Sequence, residues 1–170
     1  MHPKIIDVSP VDYFAAIKLD ESILLDLQLS SDKICMTIDY AGASFDWNEI
    51  IPLHSAIRSN PLPYKDLRLL VFSKPSEIVL ILDNEVASLD YSTFSVMRKP
   101  GPSIVYAVRC YSSSYFYHFE CASNKFDLLR FKFISLQSAV IIAEPIRSGT
   151  DWIYRSITDG HVIDIHTPFL

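Results

Sequence analysis

The sequence predicts a mainly β fold with minor helix (α+β), arranged as an antiparallel sheet, a sandwich or a partly closed barrel. Three observations predict it. Apolar residues alternate through Ile23–Ala41 (ILLDLQLSSDKICMTIDYA) and Ile104–Ala122 (IVYAVRCYSSSYFYHFECA), each made of two runs joined by a Ser-rich link. A two-residue period is the mark of a half-buried strand, because successive side chains point to opposite faces. Each segment is followed by a further apolar run opening on Asp-Leu, at Asp66–Leu82 and Asp127–Ala143. Finally, Asp159-Gly160 separates two more apolar runs and signals a hairpin, since Gly tolerates the positive φ of a type I′ turn.

The first two observations form an echo. It suggests two duplicated β-meanders, pseudo-repeats 23–82 and 104–143, with a helical insertion at 42–65 in the first. Asp66/Asp127, Leu67/Leu128, Phe72/Phe133, Val79/Val140 and Ile81/Ile142 are identities under this alignment. Duplication would place Phe72 and Phe133 in equivalent buried positions. Unrelated strands with the same alternation explain the hairpin part equally well, and the strands stand under both readings.

Taken in order, Ser9-Pro10-Val11-Asp12 reads as a helix start. Ser suits the N-cap, Pro the first turn, and Asp the positive end of the dipole. The helix is expected over about Pro10–Lys18. Leu24–Ser30 and Lys33–Tyr40 make the first hairpin. The insertion is expected to hold a short helix at Pro52–Ser59, ending before Asn60-Pro61 because the residue before proline disfavours helix. Leu67–Phe72 and Glu77–Leu82 flank a turn at Lys74-Pro75-Ser76, and Val86–Tyr91 reads as another strand. Met97–Pro102 (MRKPGP) is the clearest loop. A turn at Ser112–Ser114 would pair Cys110 with about Phe116. Ile146–Asp151 reads as a link into a C-terminal hairpin, 152–166, made of Trp152–Ile157 and His161–His166.

The chain of 170 residues is read as a single domain, 1–170, large enough for one core without disulfides or metal. Apolar residues make up 49% and charged ones 21%, a globular balance that excludes a disordered chain. With four glycines, no Gly-rich phosphate cradle is available. A net charge of −5 argues against nucleic acid as a partner and is compatible with a basic protein. Cys35, Cys110 and Cys121 lack CxxC spacing, which favours reduced, buried thiols and a cytoplasmic setting. No signal peptide is read at the start, and no apolar run approaches the roughly 20 residues that cross a bilayer, so no membrane partner is expected.

Chemistry-bearing constellations are sparse. His161, Asp164 and His166 are the nearest thing to a metal set, yet alternation puts His161 on the opposite face, and two ligands are too few for a closed zinc site. No GxSxG elbow exists, Ser112–Ser114 fill a turn, and Cys110 and His118 are placed well apart along their strands. The carboxylate pairs Asp20-Glu21, Asp46/Glu49 and Asp83/Glu85 fall at turns, where they serve local backbone. Neither a catalytic residue nor a cofactor or metal is assigned.

Aromatic residues are the more suggestive feature. Tyr106, Tyr111, Tyr115, Phe116, Tyr117 and Phe119 crowd one hairpin, so both its faces carry rings; one can be core, and the other is a candidate contact surface. The resulting expectation is a non-catalytic protein-interaction module that binds a basic protein through acidic residues and aromatic anchors. Its candidate residues are Tyr111, Tyr115 and Phe116 in the hairpin and Asp46, Trp47 and Glu49 in the insertion. In general outline such a chain is similar to immunity or inhibitor proteins that block a toxin, although no motif carries that likeness. The alternatives are a small enzyme with a dispersed active site and a structural subunit that forms a homodimer through an edge strand.

Overall fold

The computed structural model describes residues 4–42, 64–87, 103–149 and 151–164. Among these, short strand β1 (Ile6–Val8) leads into α1 (Pro10–Ala16). Next come β2 (Ile23–Leu29), β3 (Lys33–Tyr40), β4 (Lys65–Ser73), β5 (Ser76–Leu82) and β6 (Glu85–Val86). The second half holds β7 (Val105–Ser112), β8 (Tyr117–Ser123), β9 (Leu128–Phe133), β10 (Leu136–Ser148), β11 (Asp151–Ser156) and β12 (Val162–Ile163). The fold is mainly β, and every pairing of these strands is antiparallel.

The strands form two sheets. One has the order β12-β11-β10-β4-β3-β2, with β1 also on β10; the other runs β6-β5-β9-β8-β7. The thirteen residues of β10 hold β4 along one edge and take β1 and then β11 along the other. Both β2-β3-β4 and β7-β8-β9 are three-stranded meanders of consecutive strands. After each meander the chain changes sheet: β5 pairs with β9, and β10 pairs with β4. The apolar runs 66–82 and 127–143 are therefore each two strands in different sheets.

Hydrogen bonds tie the two crossings together. The Ser73 N–H donates to the Ser135 carbonyl (2.9 Å), the Ile134 N–H donates to the Ser73 carbonyl (3.1 Å), and the two serine hydroxyls meet. Lys74 turns the first corner at φ 46°, in the left-handed region, so the Lys-Pro-Ser turn is a corner between sheets rather than a hairpin. At one end the sheets are stitched by the Ile23–Ile104 bridge and by bonds between Glu21–Leu24 and Ser103–Val105, which partly close the barrel.

Between the sheets lies an aromatic core. Phe72, Phe119, Phe131 and Phe133 are essentially without exposure, and Phe14 of α1 packs over them. Phe72 contacts Phe119 at 4.9 Å between centroids and both Phe131 and Phe133 at 5.0 Å, the latter two edge-to-face. That geometry suits the ring quadrupoles. Ile34, Met36, Leu70, Leu27 and Leu129 complete the layer. A smaller cluster, Leu67, Ala143 and Tyr154, lies apart, with Leu25, Ile141 and Ile163 against it. The central strands β3 and β4 are consequently buried on both sides, which is why Cys35, Thr37 and Asp39 are buried beside Ile34, Met36 and Ile38.

Several sequence expectations are corrected. The helix ends at Ala16 rather than Lys18, because Ile17 is already extended, and Ser9 takes the N-cap without a side-chain bond. The β7–β8 turn runs through Ser113–Phe116, closed by the Ser113 N–H on the Phe116 carbonyl (2.8 Å), so Cys110 faces Phe119 and not Phe116. Residues 146–148 are strand rather than link, turning at Gly149 (φ 63°) into β11. The Asp159-Gly160 turn is not type I′: only Gly160 has positive φ (73°), and the loop spans Ile157–Gly160, closed by the Ser156 N–H on the His161 carbonyl (2.8 Å). The longer loop lets Ile157 stay buried while the Asp159 carboxylate accepts the His161 N–H at 2.9 Å. The expected helix Pro52–Ser59, the loop Met97–Pro102 and His166 lie outside the described residues, as does most of Val86–Tyr91, of which Val86 belongs to β6.

Candidate functional site

The hairpin β7–β8 sorts its side chains by alternation. Val105, Phe119 and Cys121 are buried in the core, with Val108 and Cys110 packed against it, which leaves Arg109, Tyr111, His118 and Glu120 for the outer face of the small sheet. The ladder then fixes who stands beside whom. Arg109, Glu120 and Arg130 form one rung, and Tyr111, His118 and Lys132 form the next.

These rungs make an ordered polar–aromatic surface. Tyr111 and His118 stack with centroids 4.5 Å apart and planes within 4° of parallel. The Arg109 guanidinium lies 4.5 Å from the Tyr111 centroid and reaches within 4.0 Å of the Glu120 carboxylate. His118 Nε2 is 3.0 Å from Ser113 Oγ, which anchors the ring to the turn. Lys132 pairs with Glu77 at 2.9 Å while its ammonium sits 5.5 Å from the Phe116 centroid. Tyr115, at the tip of the turn, is 86% exposed, and Tyr106 is 60% exposed. Large rings at that exposure take no part in the core.

Three of the sequence-predicted contact residues are therefore brought together here: Tyr111 on β7, and Tyr115 and Phe116 in the turn. Asp46, Trp47 and Glu49 lie outside the described residues. The ring-bearing face carries three cations, Arg109, Arg130 and Lys132, beside two carboxylates, so this patch is not acidic. Sequence reasoning missed Arg109, His118, Arg130 and Lys132. The signal was the cross-strand register, which the misplaced turn had shifted.

A second feature is a cleft of about 330 Å³ lined by Glu21, Ile23, Asp39, Tyr40, Ala41, Tyr64, Lys65 and Asp66. Asp39 is almost wholly buried, and burial pushes its carboxyl pKa up against the pull of the Lys65 ammonium 3.7 Å away. Asp66 forms a two-pronged ion pair with Arg68 (2.8 and 3.0 Å), whose guanidinium also lies 5.3 Å from the Tyr40 centroid. A Cβ on Gly42, next to the cleft residue Ala41, would meet the Tyr40 hydroxyl at 2.8 Å, so a larger residue there requires the Tyr40 ring to move.

The three cysteines are free thiols. Burial pushes Cys121 up to about 12 and Cys110 up to about 11, far from the thiolate a nucleophile needs. Cys110 and His118 are closer along the ladder than expected, on adjacent rungs, but they point to opposite faces and cannot form a nucleophile–base pair. Among the described residues, no cluster of three His, Cys, Asp or Glu could hold a metal ion, and no helix is long and apolar enough to cross a membrane. Comparison with protein-family models, curated proteins and solved structures found no match to this chain.

Proposed function

We propose that this chain is a protein-interaction module that docks its partner on the outer face of the β7–β8 hairpin. The observation that carries the reading is the Tyr111–His118 stack, held in register on a rigid ladder, with Tyr115 exposed at the turn beside it. Rings fixed before binding lose little side-chain entropy on contact, so they serve well as anchors. An inhibitor of the immunity type is one form such a module takes, and three free thiols suit a cytoplasmic setting.

Site-specific photo-crosslinking tests this. A photoreactive phenylalanine analogue placed at Tyr115 or Tyr106 should give a discrete protein adduct in an extract of the native cell. The same analogue at Val86, equally exposed on the far edge of the small sheet, should not. Identical labelling at all three positions would remove the hairpin as the docking face.

A small enzyme with a dispersed site is the second reading, favoured by the cleft with its buried Asp39 beside Lys65. A carboxyl raised by burial next to an amine is a common starting point for proton transfer. Here Asp39→Asn should abolish turnover of any substrate found by screening while leaving the crosslink at Tyr115 intact.

A further inference from the structure

We infer that the β7–β8–β9 face recognises an acidic segment of the partner protein, with carboxylates bound along the Arg109–Tyr111–His118–Lys132 row. The inference rests on the docking reading above and deepens it. The chain carries −5 overall, yet among the described residues the outer face of this sheet gathers Arg109, Arg130 and Lys132 against Glu120 and Glu77, three cations against two carboxylates and so a local surplus of one positive charge. Such a surplus on an acidic protein selects the opposite sign in a partner.

The stack itself points the same way. Tyr111 and His118 are cross-strand neighbours and lie face to face, so their planes stand upright on the sheet and their edges meet solvent. Upright rings offer edge atoms such as the Tyr111 hydroxyl rather than an open π-face, and His118 Nε2 is already met by Ser113 Oγ. A nucleobase platform needs the open face, and here each ring has spent one of its faces on the other. What the face presents instead is a set of donors: the guanidinium of Arg109, whose side chain is 70% exposed, the Tyr111 hydroxyl and the exposed Arg130, with the Lys132 ammonium shared with Glu77. Planar guanidinium donors match carboxylate oxygens in pairs. Glu120, opposite both Arg109 and Arg130 on its rung, brings its carboxylate to 4.0 Å from the Arg109 guanidinium.

The test uses the intact chain, isotope-labelled, titrated with four probes: a tyrosine-containing oligoglutamate peptide, its oligolysine counterpart, inorganic phosphate and a single-stranded oligodeoxynucleotide. The oligoglutamate peptide should shift the resonances of Arg109, Tyr111, His118, Arg130 and Lys132, with affinity falling steeply as salt is raised, and the oligolysine peptide should leave them in place. Arg109→Gln with Arg130→Gln, which removes both charges without setting like charges opposite Glu120 on its rung, should weaken oligoglutamate binding at least tenfold while the melting temperature changes little. Arg109→Lys, which keeps the charge but loses the planar fork, should weaken it less. Tighter binding of phosphate or of the oligonucleotide at the same residues would overturn the acidic-protein assignment, and so would oligoglutamate shifts lying elsewhere or absent. If crosslinking at Tyr115 yields a protein adduct while oligoglutamate fails, docking stands and the acidic chemistry falls. If neither is seen, both readings fail together.

Discussion

Phe72 and Phe133 meet edge-to-face at 5.0 Å, and each is the last core residue before the chain crosses from one sheet to the other. The contact joins the ends of the two meanders, directly beneath the Ser73–Ser135 hydrogen bonds that tie the crossings. Packing and connectivity thus converge on one point, and a cavity there would loosen both sheets.

Replacing either ring should show it. Phe72→Ala and Phe133→Ala are each expected to cost about 3–5 kcal/mol, the usual penalty for removing a fully buried phenylalanine. In a double-mutant cycle the pair should couple by about 0.5–1.5 kcal/mol, the part assigned to ring–ring geometry. Urea unfolding of the four proteins measures both quantities. Strictly additive losses would mean the rings merely fill space.

What the sequence made legible was the set of strands, and the reason is physical. Leu27 and Leu29 against Ile34, Met36 and Ile38, or Phe119 against Phe131 and Phe133, alternate because one face is core. The register shift between Leu24 and Asp26 breaks the period, so Leu24 joins the main core and Leu25 packs against the smaller cluster. Alternation, however, encodes which face is buried and not which sheet a strand joins. Phe72 and Leu80 belong to one apolar run, yet a two-residue corner at Lys74-Pro75 separates the sheets that hold them. The candidate site suffered likewise. Tyr111 was visible as a ring in a hairpin, but its partners His118 and Arg109 depend on a register set by four turn residues. The cleft brings Glu21 beside Asp39 and Lys65 only through tertiary folding, and no local pattern announces it.

The buried Asp66–Arg68 pair supports a second expectation. Both side chains are under a tenth exposed, and the two-pronged contact is a main part of what replaces water around each charge. Arg68→Ala should cost about 3–5 kcal/mol because it takes the two-pronged cationic partner from a buried carboxylate. Replacing both at once, as Asp66→Leu with Arg68→Met, should cost clearly less than the single change, since apolar residues need no partner there. Chemical denaturation of the single and double variants decides it, and equal losses would show that the pair acts through its further contacts, Tyr40 among them.

Asp39 gives a pH dependence with a definite sign. Burial raises its folded pKa above the unfolded value, so the folded state takes up the proton more readily. The charged carboxylate therefore weighs against folding at neutral pH, and the penalty fades as pH falls through the raised pKa toward the ordinary carboxylate value of about 4. Asp39→Asn should raise the urea midpoint at pH 7, with the advantage closing as the pH approaches 4. Lys65, 38% exposed, stays solvated without its partner. A stabilising substitution at a cleft residue is what a functional carboxylate would produce, because such groups are kept at some expense to stability. A destabilised Asp39→Asn protein at pH 7 would instead make the Lys65 pair a structural contact.

The turn residues separate binding from folding most cleanly. Tyr115 is 86% exposed and outside the core, so Tyr115→Ala should leave the melting temperature unchanged, within the roughly 0.5 kcal/mol that surface changes allow. Phe116 is half-buried under Lys132, so Phe116→Ala should lower stability modestly through lost packing. Tyr111→Ala removes the ring that holds both His118 and Arg109 in place, and should disorder the row without opening a cavity in the core. Once a partner is in hand from crosslinking, a central anchor should cost about 2 kcal/mol or more on truncation, and a rim contact well under 1. Tyr111→Ala is expected in the first class and Tyr115→Ala nearer the second, because the tip stands away from the ladder. Calorimetric titration of the three variants, each checked by thermal unfolding, measures the difference. Wild-type affinity in all three, with folding intact, would take the hairpin out of the interface and leave Asp46, Trp47 and Glu49 as the next residues to substitute.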